Sequence, residues 1–268
     1  MSDPDSIIRI SREGAVVTLT IDDPPTRNAL SPALTQALVT ALDDINADMT
    51  VGCAILTAAG DVFCAGGNLK DMYARRGHFA GNAAEMRRSY LNGVQSIARA
   101  LYACEVPVIA AVNGAAMGAG LDFALMCSLR IASDRAVFAE SFIKLGLTSA
   151  AGGAWFLNRV VGPAMAAELA LTGDTVDAGR ALAIGLVSQV VPHDDLLIAA
   201  HALAARIVRH PLHSIRLNTR LLRESARLDL TGSLELAAAM QAVVQQTDDQ
   251  REAVAAAVEK RRPDYKGR

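Results

Sequence analysis

Phe63-Cys64-Ala65-Gly66-Gly67-Asn68-Leu69-Lys70 and, about fifty residues later, Val112-Asn113-Gly114-Ala115-Ala116-Met117-Gly118-Ala119-Gly120-Leu121-Asp122 decide how this chain is read. Each sets small residues at the end of an apolar run. In the first, Phe63 to Ala65 reads as extended, and Gly66-Gly67 permits a sharp turn with dihedrals closed to most residues. In the second, Leu121, Leu125 and Met126 predict a helix beginning near Gly118. The first-turn amides of a helix lack intrahelical acceptors, and the helix dipole stands behind them. Two such segments can aim two amides at one oxygen, which is how a carbonyl turning into an oxyanion is held. Asp122 follows Ala119 by three residues and shares its helix face, as an acid or base beside that oxygen would. Lys70, near the start of the helix after the first turn, is placed to meet a phosphate or the adenine end of a nucleotide. Each segment taken alone also suits a plain tight turn, close helix packing and a solvated lysine.

Outward from these segments, strands alternate with helices. Ile7 to Ile10 and Ala15 to Ile21 read as strands around a turn at Arg12-Glu13-Gly14, with Val17, Leu19 and Ile21 on one face. Ser31-Pro32 opens a helix, Ser31 as N-cap, striped by Leu34, Leu38, Leu42 and Ile45. Strands are predicted at Cys53 to Thr57, Val106 to Val112 and Leu129 to Ala132, and a helix around Arg87 to Tyr102. The alternation predicts an α/β core over residues 1–195. From Leu196 to Lys260 the chain reads as successive helices with breaks near His210-Pro211 and Thr231-Gly232. Residues 196–268 are thus expected to be a helical C-terminal region, packed either on a partner subunit or on the chain's own core.

The 268 residues are 51% hydrophobic and 20% charged, with net charge −2, which offers no field for nucleic acid or an anionic membrane. Cys53, Cys64, Cys104 and Cys127 lack CxxC spacing and read as buried thiols of a reducing compartment. The opening Met1-Ser2-Asp3-Pro4-Asp5 is polar and acidic, unlike a secretory leader, and no run of about 18 apolar residues suggests a membrane span. A cytoplasmic location is expected. No residue set suggests a metal site: Pro211 between His210 and His213 fits a helix start better than a ligand pair. Phe123 stands where a dinucleotide fingerprint needs its third glycine, and the chain has no GxSxG. Cys64 has no histidine near it in sequence and reads as a core thiol; Trp155 reads as core.

Together the two segments resemble the paired signatures of the enoyl-CoA hydratase/isomerase (crotonase) family. The first is Phe63 through Met72; the second is Pro107-Val108-Ile109-Ala110-Ala111-Val112-Asn113-Gly114 followed by Gly118-Ala119-Gly120. The likeness continues through Phe138 to Gly153, Ala170-Leu171-Thr172-Gly173-Asp174 and Ala183-Ile184-Gly185-Leu186-Val187, and ends in Glu259 to Arg268. It implies an α/β spiral of strand-strand-helix repeats with a helical C-terminal region. It implies a homotrimer or a hexamer of paired trimers, and an acyl-CoA thioester as substrate. CoA then belongs to the substrate, and no separate cofactor is expected. By position, the oxyanion amides are those of Gly67 and Ala119. Ala29, Leu30, Ala65, Leu69, Lys70 and Gly118 match substrate-side positions, and Lys266 would reach CoA held by a neighbouring subunit.

The departures bear on the chemistry. Hydratases of this family hold water between two glutamates; here Asp122 takes the first position and Phe142 the second. The later glycine-rich loop, where isomerase-like relatives place an aspartate, reads Ser149-Ala150-Ala151-Gly152-Gly153. Glu140 is the nearest substitute: in an extended Phe138 to Phe142, Glu140 and Phe142 would share a face and Glu140 would approach Asp122. Its alternative is a surface or salt-bridged carboxylate, and Ser141 and Ser149 are further candidates for the role. Expected activities are 2-enoyl-CoA hydration, enoyl-CoA double-bond isomerisation, or acyl-CoA binding with little turnover.

Overall fold

The computed structural model describes residues 6–267, so Met1–Asp5 and Arg268 lie outside it. β1 (Ile8–Glu13) and β2 (Val16–Ile21) pair antiparallel with Glu13 opposite Val16. Gly14 (φ 58°) and Ala15 therefore make the turn, and Arg12 and Glu13 stay in the strand rather than the turn. β2 is buried on both faces, not one, because helices cover both sides of its sheet. One is α1 (Pro32–Ala47), whose predicted stripe of Leu34, Leu38, Leu42 and Ile45 is buried. Its N-cap Ser31 accepts from the Leu34 amide at 3.1 Å, a contact that contributes about 1 kcal/mol.

Three strand pairs then repeat: β3 (Cys53–Ala58) with β4 (Val62–Cys64), β5 (Val108–Val112) with β6 (Ala115–Met117), and β7 (Leu129–Ser133) with β8 (Val137–Ala139). The first member of each pair joins a six-stranded sheet, β1-β2-β3-β5-β7-β10, and the second a four-stranded sheet, β4-β6-β8-β9. β9 (Thr175–Asp177) pairs antiparallel with β8, and β10 (Gln189–Val191) closes the larger sheet parallel to β7. Helices fill the intervals: α2 (Leu69–Tyr73), α3 (Ala83–Asn92) and α4 (Val94–Ala103) after β4; α5 (Ala119–Met126) after β6; α6 (Gly153–Val161), α7 (Pro163–Thr172) and α8 (Ala178–Ala183) after β8. The single helix expected around Arg87 to Tyr102 is broken at Gly93, where a Cβ would lie 2.4 Å from the Ser89 carbonyl oxygen.

The C-terminal region is α9 (Leu196–Val208), α10 (Leu212–Ser225), α11 (Leu230–Val244) and α12 (Asp248–Glu259). The His210-Pro211 break is present, but Thr231-Gly232 lies inside α11, whose cap Asp229 accepts from the Gly232 amide at 2.8 Å. Residue 195 is not a packing boundary: Leu196, Ala200 and Ala204 of α9 cluster with Val16, Cys53 and Ile55 on the large sheet. α10 is tied to the end of α1 by Arg216, 2% exposed, which donates to the carbonyls of Ile45, Asn46, Asp48 and Val51. No helix among the described residues is long and apolar enough to cross a membrane. All four cysteines are free and buried. Burial pushes the Cys64 thiol up to about 12, which excludes it as a nucleophile near neutral pH. Trp155 is not core. It is 36% exposed, meets Phe156 and Tyr102 edge-on, and lies under the Arg159 guanidinium at 3.6 Å.

Candidate active site

The two glycine-rich segments meet backbone to backbone. Gly66 turns at φ 79°, and a Cβ there would lie 2.5 Å from the Met117 carbonyl oxygen and 3.4 Å from the Ala119 nitrogen. A Cβ on Gly120 would lie 2.1 Å from the Cys64 carbonyl oxygen. Neither segment tolerates a side chain at these points, so the small residues create the contact that places Gly67 beside the start of α5. A third segment joins them. Arg27 and Asn28 both adopt positive φ, 62° and 55°. The buried Asn28 amide donates to the Ala59 and Val62 carbonyls at 3.0 and 2.6 Å, while its oxygen accepts from Asp23 at 2.9 Å. Leu30 N then donates to Gly66 O at 2.8 Å, and Ala65 N to Arg27 O at 3.1 Å.

These segments wall a cavity of about 740 Å³. Ala29, Leu30, Ala65, Gly67, Leu69, Lys70, Gly118, Ala119 and Phe142 all line it. Among the described residues neither the Gly67 nor the Ala119 amide donates to a backbone carbonyl in a turn, loop or cap. Asn68 caps α2 by accepting from the amides of Lys70 and Asp71 at 3.0 and 3.4 Å, which holds Lys70, a lining residue, in the first turn of the helix. Arg27 and Lys144 line the same cavity. No ion pair among the described residues engages Arg27, Lys70 or Lys144, and no carboxylate lines the wall. The cavity thus presents three uncompensated cations to an apolar chamber. Arg27 and Lys144 escaped the sequence reading because only the fold brings them to this wall. His78, Phe79 and Tyr90, from the turn and helix after α2, also line it and carry no sequence signal of their own.

Asp122 and Glu140 are together, but not in the wall. Asp122 is wholly buried in the first turn of α5, its amide donating to Gly118 O at 3.0 Å. Ser149 Oγ donates to Asp122 Oδ2 at 3.2 Å. Glu140 is 2% exposed, which excludes the surface reading. Its route inward differs from the expected alternation. β8 ends at Ala139, Glu140 bends (φ −80°, ψ 65°), and Ser141–Leu145 forms a 3₁₀ turn. Glu140 and Phe142 therefore face different ways: Glu140 turns in to Asp122, while the Phe142 ring packs in the cavity against Gly118. Neither carboxyl residue lines the cavity, although Gly118, Ala119, Ser141 and Phe142, close to them in the chain, do.

Burial raises Asp122 to about 6, against the opposing pull of Glu140, Gly153 and Ser149. Burial and the neighbouring Asp122 charge raise Glu140 further, to about 9. Among the described residues no donor reaches either Glu140 oxygen in ordinary hydrogen-bond geometry, although the two carboxyls interact. One proton held between them relieves both the desolvation and the repulsion, so near neutral pH the pair is one acid and one base. Lys266 lies away from the cavity, its Nζ on Asp264 at 2.6 Å and its amide on Asp249 at 2.6 Å. No group of His, Cys, Asp and Glu among the described residues is disposed to hold a metal.

A family model described as enoyl-CoA hydratase/isomerase matches residues 11–268. The 2,3-dehydroadipyl-CoA hydratase of Escherichia coli (strain K12) is 34% identical over 260 residues, 97% of this chain and 98% of its own length. The 1,2-epoxyphenylacetyl-CoA isomerase of the same organism is 34% identical over 256 residues, 96% of this chain and 97% of its own. An enoyl-CoA hydratase structure from Bacillus anthracis superposes with a TM-score of 0.91 at 31% identity, covering 98% of this chain and 100% of that one. The architecture described above is that crotonase fold.

Proposed function

Because the chain belongs to the enoyl-CoA hydratase/isomerase family, we propose that it hydrates a 2-enoyl-CoA thioester. The observation that carries this reading is the buried, interacting Asp122–Glu140 pair at the start of α5, since hydration needs one base and one acid. The substrate enters with its anionic CoA groups toward Arg27, Lys70 and Lys144 and its acyl chain in the apolar chamber. The thioester oxygen sits between the two amides. Asp122 takes a proton from water as the water oxygen bonds to the β-carbon. The displaced π electrons reach the thioester oxygen, and the amides hold the enolate. Glu140 then protonates the α-carbon, and the proton on Asp122 passes across the pair to reset Glu140. The Phe142 ring must swing off Gly118 for the carboxyls to reach the substrate.

Phe142 favours a second reading, double-bond isomerisation. It places a phenyl ring rather than a carboxylate in the wall, and a single base suffices to move a proton between α- and γ-carbons. CoA enters as part of the substrate, and neither reaction calls for a further cofactor. The assembly we propose is a homotrimer or a pair of trimers in the cytoplasm, with Lys266 serving a neighbouring subunit. Crotonyl-CoA hydration and 3-hexenoyl-CoA isomerisation, assayed side by side on the protein and on Asp122→Asn, test the reading. Loss of both activities in Asp122→Asn is expected. Turnover that is indifferent to Asp122→Asn removes this residue from the chemistry, and absence of turnover in both assays leaves a CoA-binding protein.

A further inference from the structure

Ser149 takes no part in the proton transfers above, yet its hydroxyl is committed on both sides. It accepts from the Ala154 amide at 3.2 Å, in the first turn of α6, and donates to Asp122 Oδ2 at 3.2 Å. A hydroxyl carries one proton, so with the Ala154 amide on its lone pair it turns that proton to Asp122. An ionised carboxylate accepts it; a protonated one competes to donate. Gly153 sits so close that a Cβ would lie 1.9 Å from Asp122 Oδ1. Its amide leans on the same carboxylate, though nothing reaches Oδ1 in ordinary hydrogen-bond geometry. Among the described residues Glu140 has no such donor on either oxygen.

We propose that Ser149 is the positioning residue that makes Asp122 the proton acceptor of the pair and leaves the shared proton on Glu140. This rests on the hydratase/isomerase reading for its catalytic consequence, but the protonation order is a property of the protein alone. Among the described residues no other titratable group competes. Arg99 and Tyr102 on α4, Cys64 on β4 and Arg159 on α6 are on elements packed against α5, and none acts on Asp122. Lys144 in the 3₁₀ turn, Glu168 on α7, Asp177 on β9 and Arg180 on α8 surround the strand end that carries Glu140, and none acts on it.

The test is carboxyl carbon NMR of protein labelled at Asp and Glu, titrated in the wild type, Ser149→Ala and Ser149→Thr, beside the pH profile of crotonyl-CoA turnover. Asp122→Asn and Glu140→Gln assign the resonances. In the wild type the Asp122 carbon should titrate below that of Glu140. Ser149→Ala should move the lower step up by about one unit, the effect of losing one hydroxyl bond to a carboxylate. Ser149→Thr, which keeps the hydroxyl, should restore it. Where turnover is measured, the acidic limb of kcat/KM should move with the NMR step. An unmoved lower step in Ser149→Ala, or an Asp122 carbon titrating above Glu140, overturns the assignment. Absence of crotonyl-CoA turnover in the wild type counts against the functional reading instead, while the NMR order still decides the role of Ser149.

Discussion

Glu140→Gln separates the acid from everything else Glu140 does. The carboxyl is 2% exposed and, near neutral pH, carries the proton it shares with Asp122. Glutamine has nearly the same shape, is neutral, and keeps a donor toward Asp122, so the fold should be retained. What it cannot do is release a proton. Removing one general acid costs about 10²- to 10⁴-fold in kcat, or roughly 3–5 kcal/mol of barrier at about 1.4 kcal/mol per decade. The pair predicts a bell-shaped rate profile, with an acidic limb at about 6 for ionisation of Asp122 and an alkaline limb at about 9 for loss of the Glu140 proton. Both values belong to the coupled pair. In Glu140→Gln the alkaline limb should vanish while the acidic limb stays. Stopped-flow or steady-state hydration of crotonyl-CoA from pH 5 to about 10, with circular dichroism to verify folding, reads both effects. A variant that keeps both limbs, or loses less than about tenfold in kcat, would show that Glu140 is not the acid.

The same pair sets a pH dependence of stability. Native values of about 6 and about 9 against ordinary values of 3.8 and 4.5 mean that the folded state binds more protons across this window, so stability falls as pH rises through it. Melting temperature should therefore decline from pH 6 to about 8.5, and an Asp122→Asn/Glu140→Gln double variant should flatten the decline; equal slopes would place the cause elsewhere. Lys70→Glu should weaken CoA binding about tenfold at low salt, with less salt sensitivity, by calorimetry, and unchanged affinity would remove Lys70 from the site. Gly120→Ala forces a Cβ to 2.1 Å from the Cys64 carbonyl oxygen and should destabilise by more than about 2 kcal/mol. Gly179→Ala, whose Cβ would meet only Asp177 Oδ1 at 3.5 Å, should be neutral or slightly stabilising in the same thermal melts; similar melting for both would mean the two segments are not packed as described.

Residues close in sequence, or bound by the periodicity of their own element, were legible before any fold was known. The Ser31 cap, the stripe of α1, the start of α5 at Ala119 and the turn at Gly66 follow from local rules of capping, spacing and backbone freedom. The pairing of the two glycine-rich segments came from the resemblance of both together to one family, since each alone also suits a plain tight turn. Tertiary structure alone decided the rest. The inward turn of Glu140 depends on where β8 stops, and β8 stops where β6 and β9 cease to pair with it. The presence of Arg27 and Lys144 in one cavity wall with Lys70 depends on segments far apart in the chain that the fold brings together. The raised pKa values of Asp122 and Glu140 come from water excluded by the whole core, which no local window contains.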